Sequence, residues 1–431
     1  MHAISKKASL KGEVLVPGSK SHTIRAVLLA AMSDGKSVIK NPLTSDDCLS
    51  ALRAARSLGA EIAEAPGSWV VTGRGKDLHV PEDFIDTRNS GTTTMFVAAI
   101  ASLLDGYTFI TGDEQIRRRP IRPLLDALNQ LGADAHTTRT GVEAPPVLVK
   151  GKMIGGKAYL SGFSSQYISS ILLAAPLAGG DTEIFVDKPL EKPYLQMTLD
   201  WMRRYGVTPE EVSPDYKYFR IKGNQSYTAT DSIIPSDWSG VAFPLIAAVT
   251  TPSSVVITGV DFNDCQGDKI VVDHLIAMGA DIVKDEAHHR MTVVGGKALR
   301  GGTTIDLNDI PDSLPALSVA ACFARGKTTF TNLAHVRVKE TDRVAVMEEE
   351  LKKLGADIEI GPDYMIVNGG SPLVGAEVDS HDDHRVAMAM VVAGLFASGT
   401  TRVGNVECAS VSFPDFFEVM NAIGSNVVVG D

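Results

Sequence analysis

Six times in this chain an amphipathic helical stretch ends in a glycine and a short polar step. The copies read ALRAARSLGAEI, LLDALNQLGADA, TLDWMRRYGVTP, VVDHLIAMGADI, MEEELKKLGADI and FFEVMNAIGSNV. Their glycines are Gly59, Gly132, Gly206, Gly279, Gly355 and Gly424, spaced 69 to 76 residues apart. Apolar residues recur three and four positions apart before each glycine, which is the helical period. Glycine then supplies a left-handed C-terminal cap at no steric cost. A second pattern lies between these copies. It opens on small or polar residues and runs on as an Ala/Leu/Val-rich helix: SKSHTIRAVLLAAM, NSGTTTMFVAAIASLL, SSQYISSILLAAPLA, SDWSGVAFPLIAAV, PDSLPALSVAACFA and DDHRVAMAMVVAGLF. Lys20, Ser90, Ser165, Asp237, Asp312 and His384 mark the starts, 70 to 75 residues apart. The stretches SVIK, TFIT, EIFV, VVIT, TTFT and TTRVG follow and predict strands.

Each repeat therefore reads as roughly β-α-β-α-β, with one amphipathic helix and one that is apolar nearly all round. The second kind has no face for solvent, so it belongs inside. Six such units leave little of the 431 residues for anything else. The expected fold class is α/β, with three repeats per lobe and a break near Asp231–Pro235. Each lobe would gather three apolar helices at its centre and carry its sheets outside them. A 44% apolar content is enough for two such cores and excludes a disordered chain.

The ends of the buried helices carry the chemistry. Their bodies are apolar but their first residues are polar, and a helix N-terminus presents free N–H groups and partial positive charge. Such ends receive phosphates and carboxylates. If the three buried helices of each lobe run the same way, six N-termini face one cleft. The residues there are Lys20, Ser21, Asn89, Gly91, Ser164, Ser165, Gln166, Asp237, Asp312, Asp383, His384 and Arg385. Ordinary capping accounts equally well for Ser90, Ser236 and Asp237. It does not account for Lys20 and Arg385, since a cation at a positive helix end is unfavourable unless an anion offsets it. Two basic runs add to the inventory. Arg117, Arg118, Arg119 and Arg122 precede a helix; for Arg117, Arg118 and Arg122 a solvated face is the plainer reading. VRVKETDR alternates signs across a strand-to-helix junction, which can set an acid beside cations.

A net charge of −11 argues against a nucleic-acid or anionic-membrane binder. The four cysteines are far apart without a CxxC pair, so neither a disulfide framework nor a zinc ribbon is expected, and a cytoplasmic setting is. The longest apolar run, Val386–Phe396, is too short to span a bilayer.

PGSKSHTIRA, NSGTT, RPIRPLLDAL, SSQYISSILLAAP, KPYLQMTL, IPDSLPALSVAA, VRVKETDR, DDHRVAMA and SFPDFF stand in one order along the chain. In that order they resemble the motifs of the enolpyruvyl transferases, over essentially the whole length. The resemblance implies a two-lobed inside-out α/β fold of six βαβαββ repeats, three per lobe, with the active site in the interlobe cleft. It implies lobes at 17–231 and at 1–16 plus 232–431. It also implies transfer of the enolpyruvyl group of phosphoenolpyruvate to a hydroxyl, with no metal and no cofactor. The loop GDEQIRRRP lacks the cysteine of the branch acting on UDP-N-acetylglucosamine. KSHTIR and VRVKETDR favour the shikimate branch, whose acceptor is the 5-hydroxyl of shikimate 3-phosphate.

Carried over by motif, Lys20, Gly91, Arg119 and Gln166 resemble phosphate ligands of phosphoenolpyruvate, and Arg343 and Arg385 its carboxylate clamp. Ser21 and Arg25 resemble ligands of the acceptor carboxylate, with Ser164, Ser165, Gln166, Tyr194, Asp312 and Lys339 as further acceptor contacts. The implied catalytic set is Lys20, Asp312 as base toward the hydroxyl, Glu340 as acid and base at C3, and His384 assisting; a structural helix-end histidine is the other reading of His384. The implied partners are the two small substrates, with a monomer acting alone. Cations divided between the lobes would repel when open and close on a shared anion.

Four positions depart from the family pattern. Val411 stands where a lysine is usual, Met95 where an arginine is, Glu191 where a serine is, and His335 where an asparagine-type residue is. Two readings stay open: the shikimate-pathway activity with compensated substitutions, or a diverged relative with another cyclic acceptor or altered chemistry. Glu191 would set a negative charge against the acceptor's phosphate, unless a small shift in PLEKPY carries it away from the site.

Overall fold

The computed structural model describes residues 1–431. Twelve α-helices alternate along the chain: α1 (Lys20–Ala31), α2 (Asp46–Ser57), α3 (Gly91–Ala101), α4 (Arg122–Gln130), α5 (Ser165–Ala174), α6 (Lys192–Arg204), α7 (Trp238–Thr250), α8 (Val271–Ala277), α9 (Leu314–Phe323), α10 (Arg343–Lys353), α11 (His384–Gly394) and α12 (Phe416–Ala422). The odd-numbered helices are the apolar ones. Every residue of α7 and α11 is buried, and all of α1 but Ser21. Each large apolar side chain removed from water contributes about 1.5–3 kcal/mol, so these helices hold the cores together. The even-numbered helices are amphipathic. Each is followed by its repeat glycine in the left-handed region, with φ between 85° and 105°. A side chain would be strained at all six positions.

The chain forms two compact units. A mid-chain unit spans Gly18–Ile234, and a terminal unit joins Met1–Pro17 to Pro235–Asp431. Each contains three odd helices and three sheets. In the terminal unit α7, α9 and α11 pack on one another pairwise; in the mid-chain unit α3 packs on α5 and on α1. Every sheet combines parallel and antiparallel pairing, and the strand after each odd helix lies inside it. These strands are Ser33–Lys40, Tyr107–Thr111, Thr182–Val186, Ser253–Thr258, Gly326–Thr331 and Thr400–Gly404, as the β-branched stretches predict.

The first fifteen residues complete two sheets of the terminal unit. Leu10–Leu15 runs parallel to Ser253–Thr258, in register from Ser253 opposite Leu10 to Thr258 opposite Leu15. His2–Lys6 lies antiparallel between Thr400–Gly404 and Val428–Gly430. Strand segments more than 240 residues apart thus share one ladder, which local periodicity does not encode. No helix is long and apolar enough to cross a membrane.

Candidate active site

In the mid-chain unit, the expected site residues sit in or next to the first turns of α1, α3, α5 and α6, except Arg119, which follows a 3-10 turn ahead of α4. Lys20 opens α1 and is buried. Its ammonium lies 3.1 Å from the Asp47 carboxylate in the first turn of α2. The cost of a cation at a helix N-terminus is therefore offset within the protein, where the sequence argument called for a bound anion. Arg25, one turn further on, is buried and sits 5.1 Å over the Phe96 ring. It donates to the Ser21 carbonyl (2.9 Å), the Tyr194 carbonyl (3.3 Å) and the Thr198 hydroxyl (2.9 Å). These bonds bring three expected acceptor ligands, Ser21, Arg25 and Tyr194, to one place.

Gly91 begins α3 with an ordinary φ, so its value lies in space and not in backbone freedom. A Cβ there would stand 2.3 Å from Nη1 of Arg119. Gly91 thus lets the Arg119 guanidinium reach the first turn of α3. Next to it, Thr92 Oγ1 accepts from Nε2 of Gln166 at 3.0 Å, which ties the start of α3 to that of α5. Ser164 caps α5 by accepting from the Gln166 N–H. Ser90 caps α3 through the Thr93 N–H and is an ordinary cap. Of the other arginines in the basic run, Arg117 is half-buried and donates to the Gly112 carbonyl, while Arg118 and Arg122 stay on the surface. Arg122 pairs with Asp126 at 2.7 Å and Arg118 with Glu114, all half-exposed or more.

Glu191 stays with the acceptor set. Its side chain is buried, its backbone is left-handed (φ 54°, ψ 43°), and it caps α6. The carboxylate accepts from the Ser165 N–H at 3.0 Å and the Ser165 hydroxyl at 2.6 Å. No register shift carries it away from Ser165. Burial first, and the Glu191 charge second, push the nearby Tyr167 phenol above its ordinary range.

The terminal unit gathers a denser set. Asp312 lies in a 3-10 turn, Pro311–Ser313, ahead of α9. One oxygen receives Nη1 of Arg343 at 2.7 Å and the other receives Nη2 of Arg385 at 3.0 Å. Arg343 opens α10 and is fully buried. Its Nε donates to Asp383 at 2.8 Å, and Nη2 donates to Glu340. Arg385, in the first turn of α11, also donates to the Ser239 hydroxyl at 2.9 Å. His384 opens α11 and is buried. Asp237 and Asp383 each cap a helix, accepting from Ser239 N–H and Arg385 N–H.

The electrostatics follow from this packing. Burial alone would raise the Asp312 carboxyl. Arg385, then Arg343 and Lys339, outweigh it and hold the group well below the usual carboxylate range. Burial would weaken the Arg343 charge, but Asp383, Glu340 and Asp312 raise its proton affinity instead. Beside them Asp268, a residue the sequence did not single out, is buried and accepts from the Ser313 hydroxyl at 2.6 Å. Burial and then the Asp312 charge push it up to about 6. It sits in a 3-10 turn outside the repeat pattern, so no periodic signal marks it.

The four departures fall differently. Met95 is buried within α3 and serves the core. Val411 and His335 are buried in 3-10 segments of the terminal unit. Glu191 meets an expected site residue, Ser165, through its side chain.

The family model for EPSP synthase (3-phosphoshikimate 1-carboxyvinyltransferase) matches residues 4–420. The chain is 44% identical over 428 residues to the 3-phosphoshikimate 1-carboxyvinyltransferase of Acetivibrio thermocellus, covering 98% of each protein. It is 40% identical over 432 residues to the protein of that name from Methanocaldococcus jannaschii, covering 99% of each. The solved structure of EPSP synthase from Acinetobacter baumannii superposes with a TM-score of 0.84 at 29% identity, over 100% of both chains.

Proposed function

The chain belongs to the EPSP synthase family, and from that premise we infer that it is a 3-phosphoshikimate 1-carboxyvinyltransferase. It transfers the enolpyruvyl group of phosphoenolpyruvate to the 5-hydroxyl of shikimate 3-phosphate and releases inorganic phosphate. The observation that carries this reading is the end-to-end match, at 40–44% identity, to several proteins of that name.

The chemistry needs a proton acceptor for the hydroxyl, a proton donor for C3 and cations for phosphate and carboxylate. In the proposed sequence the acceptor hydroxyl gives its proton to Asp312 as its oxygen bonds to C2 of phosphoenolpyruvate. C3 takes a proton from Glu340, and a tetrahedral intermediate results. Glu340 then recovers a proton from C3, the bond from C2 to the phosphate oxygen breaks, and phosphate departs as the enol ether forms. Lys20, Gly91, Arg119 and Gln166 are proposed for the donor phosphate, and Arg343 and Arg385 for its carboxylate, where planar guanidinium groups suit two oxygens. Ser21, Arg25, Ser164, Ser165, Gln166, Tyr194 and Lys339 are proposed for the acceptor, with His384 assisting proton movement. The enzyme would act as a cytoplasmic monomer on small molecules, without nucleic acid or membrane.

The test is phosphate release by purified protein. Release is expected only when phosphoenolpyruvate and shikimate 3-phosphate are both present. Folded protein that releases none, or that releases it with unphosphorylated shikimate alone, would overturn the assignment.

A further inference from the structure

Asp312 makes an unusual base in the geometry described above. One of its oxygens is held by Arg343 and the other by Arg385, at 2.7 and 3.0 Å. A carboxylate bridging two guanidinium groups is the arrangement that a carboxylate-bearing ligand would take between the same two arginines. Arg343 has little left to offer such a ligand, because its remaining donors engage Asp383 and Glu340. Asp383 is fully buried and also caps α11, so it is anchored. Asp312 is the more exposed partner, at 21% of its side chain, and sits on a short turn. It is the carboxylate that can yield.

We infer that Asp312 is an internal stand-in for the donor's carboxylate, and that it becomes available as a base only when that carboxylate displaces it from Arg343 and Arg385. This rests on the enolpyruvyl-transfer reading and adds regulation to the same site. The physical reason is reciprocal. While two guanidinium groups hold Asp312, they also suppress its proton affinity, so it cannot accept a proton from a hydroxyl. A ligand carboxylate that takes over the guanidinium groups removes the two largest stabilisers of the Asp312 charge. Lys339 still faces it from the segment before α10 and favours the charge, whereas Glu340 opposes it. Asp268, across Ser313, is itself pushed up by Asp312 and faces Arg385 and Asp237 as well. Released Asp312 thus sits among carboxylates with one cation nearby, and its proton affinity rises. The base is switched on by the donor, and idle proton transfer from the acceptor alone is suppressed.

The experiment is calorimetric titration of the whole protein with phosphoenolpyruvate alone, in buffers of different ionisation enthalpy, across pH 5 to 7. The wild type is expected to take up protons on binding, increasingly as pH falls. Inorganic phosphate, which lacks a carboxylate, is expected to give no such component. Asp312→Asn is expected to bind phosphoenolpyruvate about tenfold more tightly, since no internal carboxylate competes, and to lose the uptake. The donor's own phosphate titrates in both proteins and cancels in their difference. Equal or weaker binding by the folded variant, or no binding by it, overturns the inference. If the variant does not fold, the wild-type comparison of phosphoenolpyruvate with inorganic phosphate decides alone, and equal proton counts overturn it. Phosphate release in the two-substrate assay without this pattern would sink the switch and leave the assigned activity standing. Absence of release would sink the activity itself.

Discussion

The two units are built from the same repeat, yet they treat the charge at their helix ends differently. In the mid-chain unit the charged side chains meet partners of different kinds. Lys20 pairs with Asp47, Glu191 lies on Ser165, and Arg25 rests on carbonyls, a hydroxyl and a phenyl face. In the terminal unit Asp312, Glu340 and Asp383 converge on Arg343, and Asp312 reaches on to Arg385. Carboxylates meet positive helix ends in both units: Asp47 at Lys20 and Glu191 at Ser165 in one, and Asp312, Glu340 and Asp383 around Arg343 in the other. Under the proposed function, a donor carboxylate entering the terminal unit would compete with that bridged set.

The largest expected effect strikes the network. Arg343→Met would leave three carboxylates, one of them fully buried, without their shared cation. Loss of one partner of a buried ion pair costs about 3–5 kcal/mol. Lys20→Met strands only Asp47 and should cost clearly less. Urea unfolding of both variants compares them, and equal losses would break the contrast between units.

The next effect is pH-dependent. Burial raises Asp268 in the folded protein, to about 6 against an ordinary 3.8. Its contribution to stability is therefore fully present below about pH 4, declines as pH rises above that, and is lost by the time pH passes about 6, where the buried group must ionise. Asp268→Asn removes that cost. The variant should gain on the wild type between pH 5 and pH 7.5, by on the order of 2 kcal/mol. Parallel urea curves at the two pH values measure it, and a constant offset would count against the assignment.

Glu191 sharpens the comparison from the other side. Replacing it with serine removes one buried carboxylate beside Ser165, a residue proposed for the acceptor. The Michaelis constant for shikimate 3-phosphate should fall roughly three- to tenfold, as expected for relief of one repulsive contact. That for phosphoenolpyruvate should stay put. A rise in the acceptor constant would mean that Glu191 organises Ser165 for the ligand.

The smallest expected change in stability is at Gly91. An added methyl meets the guanidinium end of the long Arg119 side chain and no backbone atom among its nearest neighbours. Gly91→Ala should change the unfolding free energy by less than about 1 kcal/mol, read from urea curves. It should nevertheless weaken phosphoenolpyruvate binding, because the guanidinium must move away from α3. A variant with unchanged donor affinity would separate Arg119 from the donor.

The legible parts of this protein were those written in local pattern. Gly59 through Gly424 announce six helix ends because only glycine takes a left-handed cap without strain. The apolar helices announce the cores because no face is left for water. Lys20 and Arg385 announced themselves as misfits at positive helix ends, and Gly91 as a gap. Their partners were not legible. Asp47 lies 27 residues from Lys20, Glu191 26 from Ser165, and Asp312 73 from Arg385. Asp268 carries no periodic mark at all.

The sequence by itself determined the number of repeats, the kind and ends of each helix, and the residue types gathered at those ends, since capping and amphipathicity act within a few turns of one segment. Which carboxylate neutralises which cation was decided only in the tertiary structure. Coulomb interaction ignores chain order: it depends on distance and burial, and both come into being only when separate repeats pack together.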